Sequence, residues 1–259
     1  MAAVIGILRL DFKACIAYPL LKGNVKDRTM NTPPHNGPIN PMPPYIVALF
    51  LVLVGIEAVL SLADRGIVGG AMGVGWRLSA LEEYGFSPRV FWWMFENGVF
   101  PPEHLKRFVS YAFVHGSFVH ALFAGVFVLA LGKMVGEAFG AIATLAVFLF
   151  ATVVGAVVYA VFVGGDRLLF GAYPGAYGFI GAFTYVLWLR LGQMGEAQVR
   201  AFSLIGMLLG IQLLFAVLFS GPKDWVADIG GFVAGFLLSF AVSPGGWTKI
   251  LDKLRQRSD

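Results

Sequence analysis

Charged residues and cysteine are both scarce in this chain of 259 residues. Only 13% of the residues are Asp, Glu, Lys or Arg, whereas soluble domains contain about 25%. This excludes a water-soluble globule, and a hydrophobic content of 58% excludes a disordered chain. The single cysteine, Cys15, excludes an internal disulfide framework and a thiolate metal site. A helical membrane protein is the class that remains.

Long apolar runs account for most of the sequence. Each is about 18 to 26 residues long, enough to cross about 30 Å of hydrocarbon as a helix. Helices are required because no backbone group in lipid can be left without a hydrogen-bond partner. The sequence therefore predicts an all-α, six-helix membrane bundle. Its spans are Tyr45–Ala63, Ser110–Lys133, Ala138–Val163, Pro174–Leu191, Arg200–Phe219 and Trp225–Val242.

The regions outside the spans carry most of the basic residues. Residues 1–44, with six prolines between 32 and 44, and the basic tail 244–259 flank a domain at 45–243. The positive-inside rule predicts that both termini are cytoplasmic, and we expect a bacterial cytoplasmic membrane. The long first loop, about residues 64–109, is predicted to form interfacial helices. The sequence contains no basic stripe interleaved with exposed aromatics of the kind that indicates nucleic-acid binding.

Ionisable residues inside the spans are costly in lipid and therefore mark candidate sites. With cytoplasmic termini, spans two, four and six all begin on the outer side. His115, His120, Tyr173 and Asp228 should then lie at similar depth and line one polar cavity. The alternatives are a helix–helix hydrogen bond for His115, an interfacial anchor for Tyr173 and a hydrated position for Asp228. Two further polar residues are interpreted as polar contacts only: Glu57, or alternatively a contact to lipid headgroups, and Gln212.

Glycines spaced four residues apart recur in and beside the spans. Such pairs let helix backbones approach closely in a bilayer, which predicts a compact bundle. The pairs are Gly132/Gly136/Gly140, Gly171/Gly175, Gly206/Gly210 and Gly231/Gly235.

Several segments resemble the rhomboid family of intramembrane serine proteases. The stretch 107–124, RFVSYAFVHGSFVHALFA, resembles the second span of rhomboids, and 171–182, GAYPGAYGFIGA, resembles their Gly-x-Ser-Gly motif and the Gly-x-x-Gly that follows. Residues 228–235, DIGGFVAG, resemble the His-x-x-Gly-x-x-x-Gly motif of the last span. Trp76 and Arg77 match the Trp-Arg pair of the first loop. The resemblance covers about residues 45–243.

The departures from this family lie at the chemistry. The resemblance implies a Ser nucleophile where Tyr173 stands and a His base where Asp228 stands. It matches His120 to the oxyanion-hole histidine, places Ala124 where its Asn partner is expected, and matches Tyr177 to the aromatic that supports the base. It also implies supporting positions. These are His115, Gly175, Gly178, Gly181, Gly231, Gly235, Trp76 and Arg77.

A phenol next to a carboxylate is a poor substitute for a serine–histidine pair. The nucleophile needs a hydroxyl activated by a nearby base, and a carboxylate does not act near neutral pH as an imidazole does. We therefore predict a pseudoprotease that retains no catalytic residue, needs no cofactor or metal, and binds transmembrane segments of client proteins within the lipid bilayer.

Three alternatives from other classes stay open. The first is an active serine-type endopeptidase with a non-standard site. The second is a metal or proton site, although His115 and His120 would lie about 140° apart on one helix and could not easily share an ion. The third is a carrier, for which the sequence shows no inverted repeat with interrupted helices.

Overall fold

The computed structural model describes residues 41–219 and 223–243, with the backbone alone for 212–219. Cys15, the basic tail and all but the last four residues of the predicted N-terminal segment lie outside this range, and so does the side chain of Gln212. The described residues contain no β-strand beyond one isolated antiparallel bridge, between Phe86 and Leu169.

The described residues form eleven α-helices and two short 3-10 helices, Tyr111–Phe113 and Gln198–Phe202. Five short α-helices occupy the first loop and six longer ones make up the bundle. In chain order they are α1 (Pro44–Asp64), α2 (Gly70–Gly73), α3 (Trp76–Tyr84), α4 (Pro88–Asn97), α5 (Pro102–Leu105), α6 (Arg107–Ser110), α7 (Phe118–Phe139), α8 (Ala141–Phe162), α9 (Tyr173–Gln193), α10 (Ser203–Phe219) and α11 (Trp225–Val242).

Four of these helices are long and apolar enough to cross a membrane. They are α1, α7, α8 and α11, with mean hydropathies of 2.7, 2.0, 2.6 and 1.8 over their most apolar windows. This confirms an integral, multi-pass helical membrane protein. The fourth and fifth predicted spans also form helices, but α9 is less apolar than the four and α10 has only 17 residues.

The start of α7 differs from the prediction. The apolar run suggests a span from Ser110, whereas the helix begins at Phe118 because Ser117 caps it. The Ser117 hydroxyl accepts a hydrogen bond from the His120 N–H at 3.3 Å, as expected for a serine at this position. His115 therefore precedes the helix, and the prediction that both histidines lie on one helix is wrong.

Close backbone contact joins α9 to α11. A Cβ at Gly231 would collide with the Pro174 carbonyl oxygen, and one at Gly235 with the Gly178 carbonyl oxygen. Likewise, a Cβ at Gly181 would meet the Phe232 carbonyl oxygen. This confirms the predicted close approach for Gly231/Gly235.

The other glycine pairs differ in how closely neighbouring atoms approach them. Gly132 faces the Ile46 side chain of α1, where an added Cβ would lie only 2.9 Å from the nearest atom. By contrast, no atom of the described residues lies within 4 Å of a Cβ added at Gly206 or Gly210 on α10. Within the described part of the chain, the predicted close approach is therefore not found at Gly206/Gly210.

The first loop is folded and attached to the bundle. Phe86 and Leu169 exchange two backbone hydrogen bonds of 2.9 Å, which tie the loop to the segment that leads into α9. The Trp92 indole donates to the Ala160 carbonyl at 3.1 Å. The predicted short helices of this loop are present. Exposed indole rings, as at Trp92 and Trp93, are typical of side chains at a membrane–water interface.

Candidate functional site

The residues predicted to share a cavity do come together at the starts of α7, α9 and α11. The rings of His115 and His120 lie 5.4 Å apart between centroids, and the rings of His120 and Tyr173 lie 5.0 Å apart. Asp228, on the first turn of α11, is buried. Asp228 lies one turn before Gly231, whose backbone approaches Pro174 at the start of α9.

Tyr173 lies flat against His120. The two ring planes differ by 14°, which makes this a stacked pair. Phe170 contacts the His120 ring edge-on at 5.9 Å, and Phe127 contacts the Tyr173 ring at 6.3 Å. The imidazole of His120 is thus packed against aromatic rings.

His115 has a different environment from His120. It is fully buried, and its Nε2 accepts a hydrogen bond from the Ala172 N–H at 3.3 Å. Its carbonyl oxygen accepts a hydrogen bond from Arg77 at 2.7 Å. One interpretation of His115 was a hydrogen bond to a neighbouring helix. The structure shows such a bond, and its partner is the backbone at the start of α9.

Gly171 lets the chain pass over the two histidines. Its φ of +100° suits glycine, and an added Cβ would lie 2.7 Å from the His120 ring. Its N–H donates to the Tyr111 carbonyl at 2.8 Å. Residues 171 and 172 therefore both use their N–H groups within the protein.

Tyr111 is a site residue that the sequence reasoning missed. It is fully buried, and its hydroxyl donates to the Thr152 carbonyl at 2.8 Å. The available signal was a tyrosine in an otherwise apolar stretch directly before His115.

Arg77 connects the first loop to α1. It donates to both carboxylate oxygens of Glu57, at 2.8 and 3.0 Å, and to Asp64 at 2.7 Å. The hydrogen-bonded Glu57 carboxylate raises the pKa of Arg77, so the guanidinium stays charged. The interpretation of Glu57 as a polar contact is confirmed, and its partner is the Arg77 that the first-loop motif singled out.

The roles of the remaining predicted positions stay predictions. Ala124, one turn after His120, and Tyr177, one turn after Tyr173, are both buried. Gly175 packs against the Phe148 ring, and Trp76 is 40% exposed on α3.

The segment that carries this site also matches a known protein family. The family model described as Rhomboid domain matches residues 102–245, which is more than half of the chain. The chain belongs to the rhomboid family. No curated protein matches the sequence.

The rhomboid match includes every residue of the aromatic and histidine cluster, from Tyr111 to Asp228. The match begins after Arg77 and Glu57, so both residues of this ion pair lie outside the matched segment. Tyr173 and Asp228 both lie within this rhomboid domain.

No metal centre is found in the part of this rhomboid that the structure describes, since no three His, Cys, Asp or Glu side chains are grouped to hold an ion there. The two histidines are not separated by 140° around one helix, because His115 precedes α7. The two imidazoles are near one another, but the Nε2 of His115 is already an acceptor for Ala172.

Proposed function

We propose that this protein is a rhomboid pseudoprotease that binds transmembrane helices of client proteins without cutting them. The observation that carries the proposal is the parallel stack of Tyr173 on His120. A nucleophile must present its oxygen to a base and to a substrate carbonyl. The phenol ring occupies this position beside the imidazole, and no histidine follows His120 in the sequence.

The oxyanion-binding groups support the same conclusion. Oxyanion stabilisation needs donors that are free to reach the developing charge, and loss of one donor costs about 10²–10³ in rate. The alanine at 124 offers no side-chain donor. The N–H groups of Gly171 and Ala172, directly before Tyr173, already donate to Tyr111 and His115.

Several helices expose apolar side chains, and the client helix packs on the exposed faces of α7 and α10. On α7 the exposed residues follow helical spacing from Phe118 through Leu122 and Phe123 to Val126. On α10 they include Met207 and Ile211. In the proposed topology the bundle has six spans with both termini in the cytoplasm of a bacterial cell, and these faces lie within the bilayer.

A cleavage assay in proteoliposomes tests the proposal. The unaltered protein is incubated with a panel of single-span substrates beside an active rhomboid and beside the double variant Tyr173→Ser, Asp228→His. We expect no cleavage by the unaltered protein, together with co-purification of at least one single-span protein. Specific cleavage by the unaltered protein would support the alternative, an active endopeptidase with a non-standard site.

Photo-crosslinking tests the client-binding part separately. A photoreactive residue replaces Phe123 on α7 or, as a matched control, Phe150 on α8; both side chains are about half exposed, at 55% and 46%. Crosslinks to a co-expressed single-span protein should form from position 123 and not from 150. Equal crosslinking from both positions would indicate non-specific contact in the membrane.

A further inference from the structure

The backbone that leads into α9 is held by two hydrogen bonds from the segment before α7. The Gly171 N–H donates to the Tyr111 carbonyl at 2.8 Å, and the Ala172 N–H donates to His115 Nε2 at 3.3 Å. Ala172 directly precedes Tyr173, the first residue of α9. The amide directly before Tyr173 is therefore bound by an acceptor that a side chain supplies.

His115 is itself fixed from the opposite side. Arg77 donates to its carbonyl oxygen at 2.7 Å, and the same guanidinium is bound to Glu57 of α1. The ring is fully buried. His115 thus lies between the first loop and the start of α9, with one hydrogen bond to each.

The protonation state of the His115 ring shows what a histidine contributes at this position. Because Nε2 accepts a hydrogen bond, the proton of a neutral imidazole is on Nδ1. That Nδ1 is buried and has no hydrogen-bond partner among the described residues. A buried donor without a partner is unfavourable, and an apolar side chain of similar size would avoid it. The gain from having histidine here is the acceptor at Nε2.

We propose that His115 is a positioning residue that holds Tyr173 in its stack on His120 by accepting the Ala172 N–H. Without this acceptor the first turn of α9 is free to shift, and the phenol ring separates from the imidazole. The proposal concerns the arrangement of this chain alone, so it stands whether or not the protein binds client helices.

Nitration of the tyrosines by tetranitromethane measures the position of Tyr173. The full chain in proteoliposomes is treated, and each tyrosine is quantified by peptide mass spectrometry, with the fully buried Tyr159 as internal reference. The variants are His115→Leu, which removes the acceptor, and His115→Gln, which offers a carbonyl oxygen near the place of Nε2. His120→Ala, which removes the stacking partner, is the positive control.

Loss of one hydrogen bond should raise the nitration rate of Tyr173 about fivefold in the His115→Leu variant, while Tyr159 stays protected. The His115→Gln variant should behave like the unaltered protein. An unchanged Tyr173 rate in the leucine variant, or equal rates in the leucine and glutamine variants, would overturn the proposal.

Hydrogen exchange on the unaltered protein decides the matter if the leucine variant unfolds and exposes Tyr159 too. The Ala172 amide should then exchange as slowly as the Gly171 amide, because both donate to buried acceptors. Fast exchange at Ala172 beside slow exchange at Gly171 would show that His115 does not hold this amide.

Discussion

The phenol ring of Tyr173 lies parallel to the imidazole of His120, with 5.0 Å between the ring centroids and 14° between the planes. A serine–histidine pair works through a hydrogen bond along the edge of the imidazole, from hydroxyl to ring nitrogen. A parallel stack instead places one ring face on the other. The contact between these two residues is therefore that of a packed aromatic pair, and it stabilises the starts of α7 and α9 against each other.

Replacing Tyr173 with alanine should lower the free energy of unfolding. An aromatic pair contributes about 0.5–1.5 kcal/mol beyond its buried area, and the lost ring adds a cavity. Tyr173→Phe keeps the ring and should stay close to the unaltered protein. Unfolding in detergent measures both variants, and equal losses for alanine and phenylalanine would show that the hydroxyl, rather than the stack, matters.

Replacing Asp228 with asparagine should be tolerated. Asparagine keeps the size and the hydrogen-bonding capacity of the carboxyl group and carries no charge into the buried site. The folding yield after membrane extraction is the measurement, with Asp166→Asn as the control because the Asp166 side chain is 69% exposed. A collapse of the yield for Asp228→Asn alone would mean that the site needs a charged carboxylate.

Gly235→Ala should destabilise the protein strongly. The added Cβ would collide with the Gly178 carbonyl oxygen, and overpacking of a core costs about 1–3 kcal/mol or more. A carbonyl oxygen cannot rotate aside, so we expect the upper end of this range. Gly206→Ala is the matched control, since it adds the same methyl group to another apolar helix where no described atom lies within 4 Å. Comparable stability of the two variants in an unfolding titration would contradict the close α9–α11 contact.

Arg77→Ala should cost about 3 kcal/mol in unfolding free energy, because it leaves the carboxylate of Glu57 buried without its cation. The side chains of the pair are only 13% and 3% exposed. The control is Arg89→Ala, which breaks an ion pair with Asp166 whose side chains are 72% and 69% exposed. Such surface pairs contribute about 0–1 kcal/mol. If both variants lose the same small amount of unfolding free energy, the Arg77–Glu57 pair does not stabilise the fold more than a surface pair does.

The predicted spans show what the sequence by itself determined about this protein. The last span was predicted at Trp225–Val242, and α11 has the same bounds. The third was predicted at Ala138–Val163, and α8 lies within it. These limits follow from the solvent, because hydrocarbon imposes helical structure on any apolar run of sufficient length. The order and length of the apolar runs likewise predicted that His120, Tyr173 and Asp228 lie at a common depth.

Contacts between helices were decided by the tertiary structure alone. Gly206/Gly210 and Gly231/Gly235 have the same spacing, yet among the described residues only the second pair packs against another backbone. The acceptor role of His115 likewise depends on where the chain passes before α9. The sequence reveals which residues are costly in lipid, but their partners depend on how the helices cross, and apolar side chains specify those crossings through packing rather than through any local pattern.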